Sequence, residues 1–208
     1  MNQDGLFITL EGIEGVGKTT LAKEVIAYLK GIGHKTLLTR EPGGTDLAEK
    51  IRSILKDPDH VVDASTELLL MFASRSHHVS QVIAPALATG TSVVSDRYVD
   101  ASYAYQGGGR GIPEETLDYF SEVACQSVSA DITILVTCPV NIAMGRVLSR
   151  QERIDRIEQE RYEFFERVQD AYIARAQRSS HYIMIDGSQD VSKVKSDLLE
   201  SLTKKLAG

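Results

Sequence analysis

Gly12-Ile13-Glu14-Gly15-Val16-Gly17-Lys18-Thr19 fits the pattern GxxxxGK[ST] at every fixed position, and its setting decides the fold. It follows a short apolar run, Leu6 to Leu10, and precedes a segment in which Leu21, Val25, Ile26 and Leu29 recur on one side of a helix. Strand, glycine loop and helix in that order give the pattern its physical meaning. Glycines reach backbone geometries closed to other residues, so successive N–H groups turn inward and wrap a phosphate chain at a positive helix end. Lys18 is then expected on the β and γ phosphates, and the Thr19 hydroxyl on the Mg²⁺ that accompanies the nucleotide. A glycine turn that only caps a helix requires neither the lysine nor the hydroxyl.

Outward from this loop, strands and helices alternate. Lys35 to Thr39 reads as a strand stopped by Glu41-Pro42-Gly43-Gly44, and Leu47, Ile51, Ile54 and Leu55 then recur at helical spacing. A long helix is expected from about Ser65 to Leu87, with Pro85 marking a kink or the approach to its end. Thr91 to Ser95 is the next strand, closed by Asp96-Arg97-Tyr98. A glycine cluster, Gly107 to Gly111, precedes a helix from about Pro113. Ile132 to Val136 and Tyr182 to Ile185 complete the strands. Helical patterns cover Val140 to Leu148, Glu158 to Ala176 and Val191 to Leu206, and the first two are separated by the charged stretch Arg150 to Glu160. Apolar strands separated by helices imply a parallel sheet covered on both faces, here as one domain over residues 1–208.

The chain has 208 residues, 42% hydrophobic and 25% charged, which excludes collagen-like, disordered and disulfide-scaffold classes. Its net charge of −6 argues against a general nucleic-acid or anionic-membrane surface, so an anionic ligand needs a local site. Cys125 and Cys138 have no CxxC spacing and no His neighbour, and read as buried thiols in a reducing compartment. No basic segment followed by an apolar one opens the sequence, and no apolar run approaches the roughly 18 residues of a membrane span. A cytoplasmic protein is expected. The five histidines form no metal pattern, and His77 and His78 receive no role.

Three uses of the phosphate loop compete: a small-molecule kinase, a nucleotide-gated switch, and a motor or assembly ATPase. The sequence holds no NKxD and no DxxG, which weakens the switch, and no LSGGQ-like segment supports the third. Val94-Ser95-Asp96 supplies a strand ending in an acid, the second part such proteins use to hold a metal through water. A compact kinase is favoured.

The selective motifs lie elsewhere: Thr39-Arg40-Glu41-Pro42-Gly43-Gly44-Thr45, Leu70-Met71-Phe72-Ala73-Ser74-Arg75, Asp96-Arg97-Tyr98, Ala104-Tyr105-Gln106-Gly107 and Asp155-Arg156-Ile157-Glu158. With Glu11 to Thr20 they make the chain resemble the bacterial thymidylate kinases nearly end to end. The resemblance implies an α/β P-loop NTPase three-layer sandwich with a five-stranded parallel sheet and a short lid at about residues 149–160. It implies a homodimer that phosphorylates dTMP to dTDP with ATP and Mg²⁺, serving dTTP synthesis.

Carried over residue by residue, the resemblance puts ATP on Gly12, Ile13, Glu14, Gly15, Val16, Gly17, Lys18, Thr19 and Thr20, and the metal on Thr19 and Asp96. It puts dTMP on Glu14, Arg40, Glu41, Pro42, Arg52, Phe72, Arg75, Arg97, Ser102, Tyr105 and Gln106. Phe72 is expected against the thymine ring, Arg75 at the base edge, Arg97 on the dTMP phosphate, and Tyr105 where a ribose 2′-OH would lie. Residues three apart share one side of a helix, which permits the pairing of Phe72 with Arg75. Read singly, the two are a core ring and a solvated guanidinium. Lys18 and Arg97 are the expected catalytic charges, joined by Arg150, Arg153 and Arg156 from the lid, because the loop's variable residues include no basic one. The alternative for that stretch is a solvated charged helix. Two rival functions stay open: a kinase for another nucleoside monophosphate or a deoxynucleoside, and a nucleotide-binding regulator with negligible turnover.

Overall fold

The computed structural model describes residues 5–150 and 153–207. Its strands are β1 (Phe7–Glu11), β2 (Thr36–Arg40), β3 (Ser92–Asp96), β4 (Ile132–Thr137) and β5 (Tyr182–Asp186). Its helices are α1 (Lys18–Gly31), α2 (Asp46–Lys56), α3 (Ala64–His78), α4 (Ala84–Ala88), α5 (Val99–Ser102), α6 (Glu114–Cys125), α7 (Val140–Leu148), α8 (Tyr162–Ala176) and α9 (Val191–Ala207). The strands form one parallel sheet in the order β2-β3-β1-β4-β5.

Side chains of β1 alternate between two apolar layers, as a strand's period of two dictates. Ile8 and Leu10 join Leu21, Val25 and Leu29 of α1 and Leu198 and Leu202 of α9, whereas Phe7 packs with Val79 and Ile83 beyond α3. Register then sets the site. Leu10 and Arg40 both pair with Asp96, so the glycine loop, Asp96-Arg97 and Arg40-Glu41 leave the sheet side by side at the carboxyl ends of its strands. That edge is where open parallel sheets bind ligands.

Three stretches depart from the sequence reading. The long helix continues through a π-helical turn at Val79–Ile83, where the Ala84 N–H donates to the Val79 carbonyl. Pro85 follows at once; it has no N–H and would collide with the preceding turn of a regular helix, and the wider turn lets the chain run on. Val99–Gly109, for which the glycine cluster suggested no helix, is α5 continued as a second π-helical turn over Tyr103–Gly109. Its glycines serve close packing: a Cβ on Gly108 would lie 2.5 Å from the Ala171 Cβ and 2.8 Å from the Arg167 carbonyl of α8. Among its described residues the charged stretch is not a helix. Arg156 to Gln159 form a turn in which Asp155 Oδ1 accepts from the N–H groups of Ile157 and Glu158, and α8 begins at Tyr162 rather than Glu158. Gln151 and Glu152, within the expected lid, lie outside the described residues.

Candidate active site

Ile13 and Val16 bury their side chains in the core, which leaves the backbone of the loop to face the cleft. Gly15 has φ +80°, and a Cβ there would lie 2.1 Å from the Ala143 carbonyl, so no other residue fits. Gly17 leads straight into α1, whose first residues are Lys18, Thr19 and Thr20. Lys18 Nζ donates to the carbonyls of Gly12 (2.9 Å) and Ile13 (2.7 Å). Burial, aided by the charge of Arg97, lowers its ammonium to about 8, although Asp96 and Glu14 resist the change. The Thr19 hydroxyl donates to Asp96 Oδ2 at 2.8 Å, so the two expected metal ligands meet. Both are hard oxygen donors of the kind Mg²⁺ takes.

Arg97 holds φ +75°, in the left-handed region, a conformation that costs a non-glycine residue about 1–3 kcal/mol. Its flanks are pinned: its N–H donates to the Leu10 carbonyl (2.9 Å), Ser95 Oγ donates to its carbonyl (2.6 Å), and the Tyr98 N–H donates to Glu11 Oε1 (2.7 Å). The guanidinium donates to the Gly12 carbonyl, Tyr172 Oη, Glu14 Oε1 and Tyr105 Oη, at 2.6 to 3.1 Å. Tyr105 in turn donates to Glu14 Oε2 at 2.5 Å. Burial pushes the Glu14 carboxyl up, but Arg97 and then Lys18 outweigh it and hold the group below its ordinary range. Beneath this layer Glu11 accepts from Tyr172 Oη at 2.8 Å; burial first, and Asp100 second, push its carboxyl up to about 8.

Among the residues expected around the nucleoside, Arg75 is buried, not solvated. Its Nε donates to Glu41 Oε2 (2.7 Å), and its two remaining nitrogens to Ser102 Oγ and the Tyr98 carbonyl. The guanidinium lies 4.9 Å from the centre of the Phe72 ring, which stacks on Phe120 at 5.6 Å. Glu41 also pairs with His78 Nδ1 (2.9 Å), whose Nε2 meets Thr39 Oγ1 (2.7 Å). His78 therefore has a structural role that its sequence position did not show. Arg52 donates to the Pro42 carbonyl, and Arg40 pairs with Glu49. Gln106 is buried, with Nε2 on Glu67 Oε1 at 2.9 Å.

The three arginines expected on a lid part company. Arg150 lines one cleft of about 230 Å³ with Lys18, Thr19, Asp96 and Arg97. Arg153 pairs with Asp59 at the surface. Arg156 lies away from the phosphate loop, on the Leu55 carbonyl (2.9 Å) and Glu67 Oε2 (2.7 Å). Glu11, Glu67, Arg110 and Tyr172 escaped the sequence reading, as did Arg146, which donates to the Gly187 carbonyl beside the loop. The available signal was an acid at the end of a buried strand for Glu11, and an acid opening the apolar run Leu68 to Phe72 for Glu67.

The family model described as Thymidylate kinase matches residues 10–198. Thymidylate kinase of Ectopseudomonas mendocina (strain ymp) is 46% identical over 209 residues, covering 98% of this chain and 99% of its own. That of Pseudomonas putida (strain GB-1) is also 46% identical, over 93% of each chain. The crystal structure of thymidylate kinase from Ehrlichia chaffeensis superposes with a TM-score of 0.77 at 31% identity, covering 96% of this chain and 98% of that one. With the glycine loop, Asp96-Arg97 and Glu41-Arg75 gathered at one sheet edge, these likenesses place the chain in the thymidylate kinase family.

Proposed function

We propose that the protein transfers the γ-phosphoryl group of ATP to the phosphate of dTMP, giving dTDP and ADP, in the cytoplasm and as a homodimer. A dTMP phosphate oxygen attacks the γ-phosphorus in line, and the bond from that phosphorus to the β,γ-bridging oxygen breaks. The carrying observation is the cleft. In a chain of net charge −6, six cations (Lys18, Arg40, Arg52, Lys56, Arg97 and Arg150) line one space with only four acids. Two phosphate-bearing molecules meeting end to end need that concentration of positive charge.

In this reading the backbone from Gly12 to Thr20 cradles the ATP phosphates, and Lys18 shifts from the loop carbonyls onto them. Thr19 and Asp96 would hold Mg²⁺, which when bound neutralises phosphate charge. Arg97, aimed by Glu14 and Tyr105, holds the acceptor phosphate, and Arg150 is the lid arginine placed to reach the transferring group. Arg75 and Phe72 read the base, with Ser102, Tyr105 and Gln106 closing over the nucleoside and Glu41, Pro42, Arg40 and Arg52 bordering its phosphate. Exposed apolar side chains on neighbouring helices, Leu47 and Ile54 of α2, Leu69 of α3, and Tyr119 and Val123 of α6, support the dimer.

The test is coupled ADP release with ATP against a panel of nucleosides and monophosphates. dTMP is expected to turn over fastest, dUMP less well and UMP poorly, because one methyl in an apolar slot is worth about 1–3 kcal/mol whereas a 2′-OH meets Tyr105. Faster turnover of another monophosphate, or none with dTMP, overturns the assignment.

A further inference from the structure

Glu67 is fully buried, yet it lies outside the cleft lined by Lys18, Thr19, Asp96, Arg97 and Arg150. Its carboxylate gathers donors from two distant parts of the chain. Oε2 accepts from Arg156 (2.7 Å) and Arg110 (3.0 Å), and Oε1 from Gln106 (2.9 Å) and Arg110 Nε (3.2 Å). Burial pushes the carboxyl up, but the hydrogen bonds and charge of Arg110, with Gln106 and Arg156, bring it below its ordinary range, so it stays ionised. A buried carboxylate with its lone pairs so filled is tied to all its donors at once, and removing it strips Arg156 of its acid and leaves Arg110 only Glu160.

The donors divide by function. Arg156 belongs to residues 153–160, a strap that also docks its Arg156 N–H on the Lys56 carbonyl and Asp155 on Lys56 Nζ (2.6 Å). Arg110 carries a second tie to the strap through Glu160, at 2.5 Å. Gln106 adjoins Tyr105, which is bonded to Glu14 and Arg97. Glu67 itself opens the helix that carries Phe72 and Arg75. The strap leads back to Arg150 in the cleft.

We propose that Glu67 is a positioning residue that joins the strap to the segment closing over the nucleoside, so that occupation of the dTMP side docks the strap and brings Arg150 to the ATP side. This rests on the dTMP kinase reading above. Binding on one side and order on the other then share a coupling free energy.

Hydrogen exchange of the full-length protein, read by mass spectrometry on peptides covering 153–160, tests it. In the wild type, saturating dTMP is expected to slow exchange of the strap by about 5- to 150-fold, the usual range of a coupling between sites. In Glu67→Gln, dTMP still binds through Arg97 and Arg75 but the strap gains less than about twofold protection, and kcat falls more than KM for dTMP rises. Should Glu67→Gln fail to fold, Arg156→Gln leaves Glu67 paired with Arg110 and Gln106 and is expected to lose the protection in the same way. The double variant is expected to lose no more kcat than the worse single one. Strap protection retained in the variants, multiplying effects in the double variant, or no protection by dTMP in the wild type overturns the coupling. Failure of the wild type to phosphorylate dTMP is a separate result, read in the turnover assay without any variant, and overturns the function instead.

Discussion

The phosphate loop is one consecutive stretch that offers the cleft chiefly backbone atoms, while the side proposed to take the nucleoside is built from side chains of separate segments. On the loop, Ile13 and Val16 anchor in the core, and Gly12 and Gly15 bring the chain close to β4 and α7. Behind Glu41, which lines the cleft, Arg75 is buried and held by Glu41, Ser102 and Tyr98, while Arg75 and His78 fill the oxygens of Glu41. The difference separates activity from stability. In the proposed reading Lys18 exchanges its two loop carbonyls for the phosphates and balances no buried acid of its own, whereas Arg75 and Glu41 would position ligand while neutralising each other in the interior.

Lys18→Ala is the sharpest probe of the first half. Loss of the charge on the transferring phosphates is expected to lower kcat by at least about 10³-fold, with a thermal midpoint close to wild type. A large fall in the midpoint would show that the loop, too, is held together by its side chain, and the contrast would break.

Glu41→Ala probes the other half, and here both measurements should move. It strands Arg75 and His78 in the interior, and breaking a buried pair from one side typically costs about 3–5 kcal/mol. The expected outcome is a midpoint lowered by many degrees and kcat/KM for dTMP lowered about 100-fold, with KM for ATP little changed. Equal losses toward both substrates would mean that Glu41 serves the whole fold and not one side of the cleft.

The same difference explains what could be read from the sequence. The loop is local, so its eight residues disclosed the strand, the helix and the phosphate chemistry together, and hydrophobic periodicity disclosed the rest of the sheet. The buried ion pairs around the cleft join residues far apart in the chain, Arg97 with Glu14, Arg75 with Glu41 and, outside the cleft itself, Arg156 with Glu67. No spacing rule reports such pairs. Resemblance supplied Glu14, Glu41, Arg75 and Arg97 as site residues, but not which acid pairs with which guanidinium, and it did not supply Glu67. The glycines at 107–109 misled in the opposite direction, because a residue that breaks helices in isolation also lets one helix approach another.

Glu11 lies at the seam of the two halves, and its pH dependence sharpens the contrast further. Its folded carboxyl, near 8, stands above its ordinary 4.5, so between those values the folded protein holds a proton that the unfolded chain has released. Its contribution to stability is therefore full below about 4.5 and is lost as pH rises through about 8. Denaturation followed from pH 5 to pH 8 should show wild type losing stability relative to Glu11→Gln, by on the order of a few kcal/mol across the window. A difference that stays flat, or runs the other way, would mean that Tyr98 and Tyr172 hold Glu11 as a carboxylate throughout.

The smallest expected effect separates two arginines that the sequence could not rank. Arg150 lines the cleft with Lys18 and Arg97, and Arg153 sits at the surface against Asp59, both side chains more than two-thirds exposed at 70% and 78%. Exposed pairs of this kind are worth about 0–1 kcal/mol, since water already solvates both charges and the pairing orders two long side chains. Arg153→Ala should accordingly leave kcat and the thermal midpoint nearly at wild-type values. Arg150→Ala should lower kcat by about 10- to 1,000-fold while KM for dTMP stays within about threefold, the pattern of a contact made mainly in the transition state. If Arg153→Ala shows the larger loss in kcat, the strap turns over on closing. Arg153 then leaves Asp59 for the phosphates, and the charge needed at the transferring group comes from the outer side of the strap rather than from Arg150.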